Sequence, residues 1–202
     1  VLSMMFTNAP HAMTAWGGRR PVFGTNPIAF AAPRANGEPV IVDLALSEVA
    51  RGKILAAAQN DEAIPPGWAK DADGQPTTDA KTALKGTVFP AGGAKGAALA
   101  LMVEVLAASL VGANQSFEAS SLFDAEGPPP ALGQFIIAID PGAFAGTNQF
   151  ADKLELLAGT IEGDEGARLP GSRRTALRQA ATRDGVEVSS GLLAKLKAAV
   201  SD

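Results

Sequence analysis

QFIIAIDPGAFAGTNQFADKLELLAGTI, residues 134–161, changes its period partway along. Gln134 to Asp140 is a short apolar run rich in isoleucine, which reads as a core strand. Pro141-Gly142 turns the chain. From Asn148 to Thr160 the spacing becomes helical, with Phe150, Leu154, Leu157 and Ile161 on one stripe of an amphipathic helix. Strands alternating with helices define an α/β sandwich.

The alternation recurs upstream. Val1 to Phe6 reads as a buried strand, and Glu38 to Ala45, with Pro-Val-Ile-Val-Asp inside it, as another. Residues 7–37 are rich in Pro, Gly and Asn and read mostly as loop. Ser47 is placed to cap a helix running to Asn60, with Glu48 in its first turn. Residues 61–93 carry Pro65-Pro66-Gly67, Asp73-Gly74 and Gly92-Gly93 and read as a long ordered loop, a kind that is usually functional. Lys95 to Gly112 is the strongest helix, apolar nearly all round and therefore expected to be buried. Gly127 to Pro130 is a rigid connector, and Leu169-Pro170-Gly171 is a turn. Ser172 to Arg183 and Ser189 to Val200 read as terminal helices. This gives an α/β domain over 1–165 and C-terminal helices over 166–202.

Composition narrows the chemistry. Of 202 residues 47% are hydrophobic, enough for a sizeable core. A net charge of -4 lacks the basic footprint that nucleic acid requires. The apolar run from Ala97 to Gly112 is interrupted by Glu104 and is too short to span a membrane. With no cysteine there is no disulfide and no zinc-thiolate site, which fits a reducing cytoplasm. His11 is the single histidine, so histidine-rich metal sites are excluded by count. No Gly-x-Ser-x-Gly elbow, Rossmann glycine fingerprint or Walker sequence is present. Asp71, Asp73 and Asp79 cluster, but the calcium-loop pattern breaks off and a turn is the simpler reading. Val1 opens in mid-strand without a charged leader, so the polypeptide is expected to extend upstream.

Several segments have two readings. Pro90 to Gly96 opens the apolar helix, where glycines expose backbone N–H groups and Lys95 adds a cation. That suits a phosphate, or else a helix entry needing small residues for close packing. Arg168 to Arg174 offers bidentate phosphate donors, or a solvated basic helix start. Asp43 ends a strand, where ligands of α/β sheets bind, or it caps the next turn. Trp16 and Trp68 lie in loop sequence and either wall a pocket or fill the core. His11 reads as a loop side chain rather than a base.

Seven segments then occur in order: Phe23–Phe30 (FGTNPIAF), Ile41–Ser47 (IVDLALS), Arg51–Ile54 (RGKI), Ile64–Trp68 (IPPGW), Gly74–Asp79 (GQPTTD), Gly92–Gly96 (GGAKG) and Arg168–Arg174 (RLPGSRR). The series resembles the type-2 malate/L-lactate dehydrogenase family, which includes sulfolactate dehydrogenases and reductases of piperideine-2-carboxylate and pyrroline-2-carboxylate. The resemblance covers nearly the whole chain and matches a C-terminal portion of the family. It implies a non-Rossmann, mixed-sheet sandwich of the sulfolactate-dehydrogenase-like type, truncated at its N-terminus. It also implies binding of NAD or NADP by residues 1–165, in a cytoplasmic homodimer, with the helices of 166–202 packing against an upstream region.

By motif, Asp43, Leu44, Ala45, Lys95, Gly171, Ser172 and Arg173 are expected to contact the cofactor, and Thr25 the substrate. Ser172 stands where the family often has glutamate, so its contact must come from backbone or hydroxyl. The family's catalytic histidine and substrate-clamping arginine belong to an upstream region, so no catalytic residue is assigned within this chain, and His11 is not promoted into the role. The resemblance implies hydride transfer to 2-oxo acids, giving 2-hydroxy acids, or to cyclic 2-imino acids. Asn8-Ala9-Pro10 and Trp16-Gly17-Gly18 suit a roomy, aromatic-walled site for a ring, although Lys53 stands where an acid would better orient a histidine. The rival reading is a truncated, non-catalytic paralogue that dimerises or binds a partner. In a truncated chain, an uncovered apolar face would drive oligomerisation.

Overall fold

The three strands expected at residues 1–6, 38–45 and 134–140 form, and a strand inside the supposed loop joins them. The structure is a computed structural model and describes residues 1–124 and 126–200. In chain order the strands begin with β1 (Leu2–Thr7), β2 (Met13–Thr14), β3 (Pro21–Phe23), β4 (Ile28–Ala32) and β5 (Val40–Leu44). Helix α1 (Arg51–Gln59) is followed by β6 (Ala69–Lys70), β7 (Pro76–Thr77), α2 (Ala80–Leu84) and β8 (Thr87–Val88). Helix α3 (Ala94–Glu104) runs into a π-helical turn, Val105–Ser109. Then come β9 (Gln134–Ile139), α4 (Thr147–Glu162), α5 (Ser172–Asp184) and α6 (Ser190–Val200).

The main sheet has the order β5-β4-β1-β9. Every pairing among the described strands is antiparallel, which corrects the expected mixed sheet. A parallel pair needs a long crossover, whereas β4 and β5 are joined by a short link of the kind that makes a hairpin. Residues 7–37 are mostly loop, as expected, but they also hold the short strands β2, β3 and β4. Strand β4 sits between β1 and β5, and pairing on both sides satisfies its backbone although Pro27 and Pro33 disguise it. Strand β9 lies at the edge of this sheet, packing Phe135 and Ile137 against the core as expected of a core strand while Gln134, Ile136 and Ala138 are exposed.

Two helices depart from expectation. Ser47 caps nothing: α1 starts at Arg51 without a side-chain cap, and the Ser47 hydroxyl donates to the Val49 carbonyl at 2.8 Å. The cause is an isolated bridge between Ser47 and Pro90, which holds this stretch extended until the helix can begin. The expected helix from Lys95 is buried on one face only. Gly96, Ala97, Ala100, Val103, Ala107 and Ala108 are buried, while Leu99, Leu101, Met102, Val105 and Leu110 are exposed. Small residues let the helix backbone approach β1 and β3 closely. Residues 61–93 hold a small sheet, β7-β6-β8, and α2, whose first turn is capped by Asp79 accepting from the Thr82 N–H at 2.6 Å. Asp71 accepts from the N–H groups of Asp73 and Gln75 at 3.0 and 2.8 Å, which makes its cluster a turn.

The chain forms two compact units, Val1–Leu157 and Ala158–Asp202. The core of the first includes Phe6, Met13, Leu46, Ile54, Ile64 and Val103. In the second, α5 and α6 have no buried residue. Ser201 and Asp202, the last residues of the expected helical segment, lie outside the described residues.

Within the first unit, Arg34 donates to Glu155 through Nη2 at 2.9 Å and through Nε at 3.3 Å. The Arg34 hydrogen bonds hold the Glu155 carboxyl below its ordinary value. A depressed carboxylate stabilises the fold fully above its unfolded pKa, about 4.3, and the contribution is lost as pH falls toward the folded value. Arg34→Met is therefore expected to be less stable than the parent near neutrality, with the difference shrinking below about pH 4. Urea midpoints across that range test this, and a pH-independent difference would count against it.

Candidate functional site

Gly24 brings the first two walls of the site together. A Cβ at Gly24 would lie 2.1 Å from the Ala9 carbonyl oxygen, so only glycine allows this approach. The neighbouring Ala12 N–H donates to Phe23 at 2.7 Å. Thr25, the expected substrate residue, follows at once and is half-buried. Its carbonyl accepts from the Leu46 N–H at 2.8 Å. Leu46 in turn accepts from the Ala91 N–H at 2.9 Å, and the Glu48 N–H donates to Phe89 at 2.7 Å. The fold therefore stacks Thr25, the end of β5 and the Pro90–Lys95 turn side by side. Asp43 and Leu44 are exposed at that strand end, and Ala45 is half-buried.

The glycines of the helix entry differ in what holds them. Gly96 is there for packing, since a Cβ would meet the Ala91 carbonyl oxygen at 2.0 Å. Gly92 and Gly93 carry φ of +67° and +65°, and Gly93 begins α3 with no side-chain cap. The first N–H groups of a helix have no partner within it, and they carry partial positive charge. Lys95 is exposed one residue inside this end. An anionic group of a dinucleotide fits such a place. A Cβ at Gly93 would touch the Trp16 ring at 3.3 Å, and Trp16 itself is 66% exposed beside this turn. Trp68 packs on the core instead.

A cavity of about 440 Å³ adjoins Thr25 and is lined also by His11, Arg51 and Phe123. Arg51 donates to the carbonyls of His11 and Leu84 at 3.4 and 3.1 Å, and its guanidinium lies 5.1 Å from the Phe123 ring centre. Burial lowers its pKa, yet a guanidinium stays charged at any physiological pH. Sequence reading missed this grouping. His11 looked like a loop side chain, and Arg51 stood out only as part of a motif. The close approach of Gly24 to Ala9, a residue lining the cavity, has no local sequence signature.

Gly171, Ser172 and Arg173 belong to the second unit. Gly171 is left-handed, with φ of +90°, and starts α5 without a side-chain cap. The Ser172 hydroxyl and N–H both donate to the Leu169 carbonyl, at 2.9 and 3.3 Å, so both donors are already engaged. Arg173 is exposed and shares a concave surface of about 580 Å³ with Arg168 and Arg174.

A family model described as malate/L-lactate dehydrogenase matches residues 1–197. A (2R)-3-sulfolactate dehydrogenase (NADP(+)) of Chromohalobacter salexigens is 50% identical over 89% of this chain and 53% of its own length. A Delta(1)-pyrroline-2-carboxylate reductase of Pseudomonas fluorescens is 45% identical over 96% of the chain and 58% of its own length. The crystal structure of delta1-piperideine-2-carboxylate reductase from Pseudomonas syringae superimposes with a TM-score of 0.86 at 39% identity, covering 96% of this chain and 59% of that one. The chain thus spans between half and two thirds of the length of these relatives.

Proposed function

From the premise that the chain belongs to the malate/L-lactate dehydrogenase family, we propose that its protein is an NAD(P)H-dependent oxidoreductase. Its substrates are 2-oxo and 2-hydroxy acids or cyclic 2-imino acids of the pyrroline- and piperideine-2-carboxylate type. One observation supports this reading: hydrogen bonds tie Leu46, just after Asp43–Ala45, to Thr25 and to Ala91, which precedes the Gly93–Lys95 helix entry. When bound, the nicotinamide cofactor supplies the hydride.

The chain's own residues divide the remaining work. Lys95 and the N-terminus of α3 hold an anionic part of the cofactor. Asp43, exposed at its strand end, is suited to accept hydrogen bonds from sugar hydroxyls, with Leu44 and Ala45 beside it. In the second unit, Arg173 supplies a further cation, and Gly171 and Ser172 set the turn that carries it. Thr25 and Arg51 border the cavity for a substrate carboxylate, and the fixed charge of Arg51 favours an acid there. The reaction also needs a proton donor beside the carbonyl or imine. We assign that donor to no residue of this chain and place it in the length that the relatives have beyond it.

The enzyme names of both curated relatives favour catalysis over a non-catalytic binding module. Exposed Leu101, Met102, Val105 and Leu110 support a homodimer. No helix among the described residues is long and apolar enough to cross a membrane.

Fluorescence titration of the full-length protein with NADPH and NADH is expected to show saturable binding of at least one. Nicotinamide oxidation is expected with piperideine-2-carboxylate, pyruvate, oxaloacetate or the 2-oxo acid corresponding to sulfolactate. Failure of both cofactors to bind would overturn the reading.

A further inference from the structure

We propose that Glu104 is a positioning residue for the substrate cavity, acting through Asn26 and Ser116 on the backbone segments that carry Thr25 and His11. The proposal rests on the oxidoreductase reading above. Glu104 is 4% exposed, and Asn26 and Ser116 are fully buried. Its Oε2 accepts from Asn26 Nδ2 at 2.7 Å and from Ser116 Oγ at 2.6 Å, while Oε1 accepts from the Ser116 N–H at 2.5 Å. Asn26 Nδ2 also donates to the Ala100 carbonyl at 3.0 Å, which ties the cluster to α3.

From this carboxylate two paths lead to the cavity. Asn26 directly follows Thr25 and holds a left-handed backbone with φ of +39°, a conformation asparagine tolerates better than most residues. Ser116 accepts the His11 N–H at 2.9 Å, and the chain beyond it continues to Phe123, another wall of the same cavity. One side chain thus sets the spacing of three walls that come from distant parts of the sequence.

The energetics point the same way. A buried carboxylate is costly unless its acceptors are filled, and an apolar residue would pack this Ala- and Leu-rich helix without that cost. Three neutral donors converge on Glu104. What the carboxylate contributes beyond packing is a fixed geometry. It also sits at the junction where α3 widens into the π-helical turn, a feature often found next to functional sites.

Glu104→Gln in the full-length protein tests this. It keeps the shape, but its amide NH₂ must face Asn26 or Ser116 donors where an oxygen accepted before. The expected result is a substrate KM raised about tenfold with the NADPH Kd changed less than about twofold, because small misplacements at a reacting centre are expensive while Lys95 lies at the opposite end of α3 from Glu104. A purely structural role would instead lower the melting temperature and the active fraction and leave KM alone. An unchanged KM in a folded variant, or KM and Kd rising together, overturns the proposal. Should Glu104→Gln not fold, Ser116→Ala removes the hydroxyl that donates to Glu104 at 2.6 Å and more distantly to Asn26 Oδ1 at 3.4 Å, and the same split is expected at about threefold. Its absence there would be equally decisive. Failure of the parent protein to bind either nicotinamide overturns the oxidoreductase reading instead, before any variant is compared.

Discussion

Gly96→Ala is expected to destabilise the Val1–Leu157 unit by about 3 kcal/mol, at the severe end for overpacking. The added Cβ would lie 2.0 Å from the Ala91 carbonyl oxygen, 2.9 Å from its carbon and 3.1 Å from its nitrogen. All three are backbone atoms, so no side chain can swing aside. The turn cannot retreat either, because the Ala91 N–H donates to Leu46 and Pro90 is bridged to Ser47. Relief must come from tilting the start of α3, and that would displace Lys95 and weaken cofactor binding along with stability. Gly92→Ala is the control. Its φ is also positive, but nothing lies within 4 Å of the added Cβ, so only about 1 kcal/mol of backbone strain is expected. Urea midpoints and NADPH titrations of the two variants decide the matter. Equal stability for both would show that the Ala91 contact is not what requires glycine at this position.

Lys95→Glu is expected to weaken NADPH and NADH binding about fiftyfold while leaving stability within about 0.5 kcal/mol of the parent. Lys95 is exposed, so reversing its charge disturbs no packing. A hydrogen bond to a charged group contributes about 1.5–3 kcal/mol, and reversal adds repulsion at the helix terminus where an anion would sit. Salt dependence gives an independent readout. The parent's Kd should rise with ionic strength, and the variant's should rise less or fall. Unaltered affinity would move the anionic contact away from this helix entry, leaving Arg173 and the α5 start as its principal holders.

The two variants bear on one turn from different sides, and that turn was legible in the sequence. Gly92-Gly93-Ala94-Lys95-Gly96 announces a tight helix entry, and the structure shows that Gly96 is the glycine the close packing requires. The cavity wall was less legible. Thr25 could be named from its motif, but Arg51 and His11, distant from it in sequence, join it only in the fold. Glu104 left one sequence signal, a lone carboxylate inside an Ala- and Leu-rich helix, which reads locally as an interruption of the apolar run.

Local pattern by itself determined the mixed α and β content, the strands at 1–6, 38–45 and 134–140, the long helices, and the family through seven ordered motifs. These depend on side-chain period and on turn chemistry, both of which act over a few residues. Strand order, antiparallel pairing throughout, the place of β4 between β1 and β5, and the exposed outer face of α3 were decided only in three dimensions. The physical reason is that backbone pairing on both sides satisfies a strand of weak local propensity. Likewise, small residues bury a helix by letting its backbone approach, so size and not hydrophobicity chose which face of α3 turned inward.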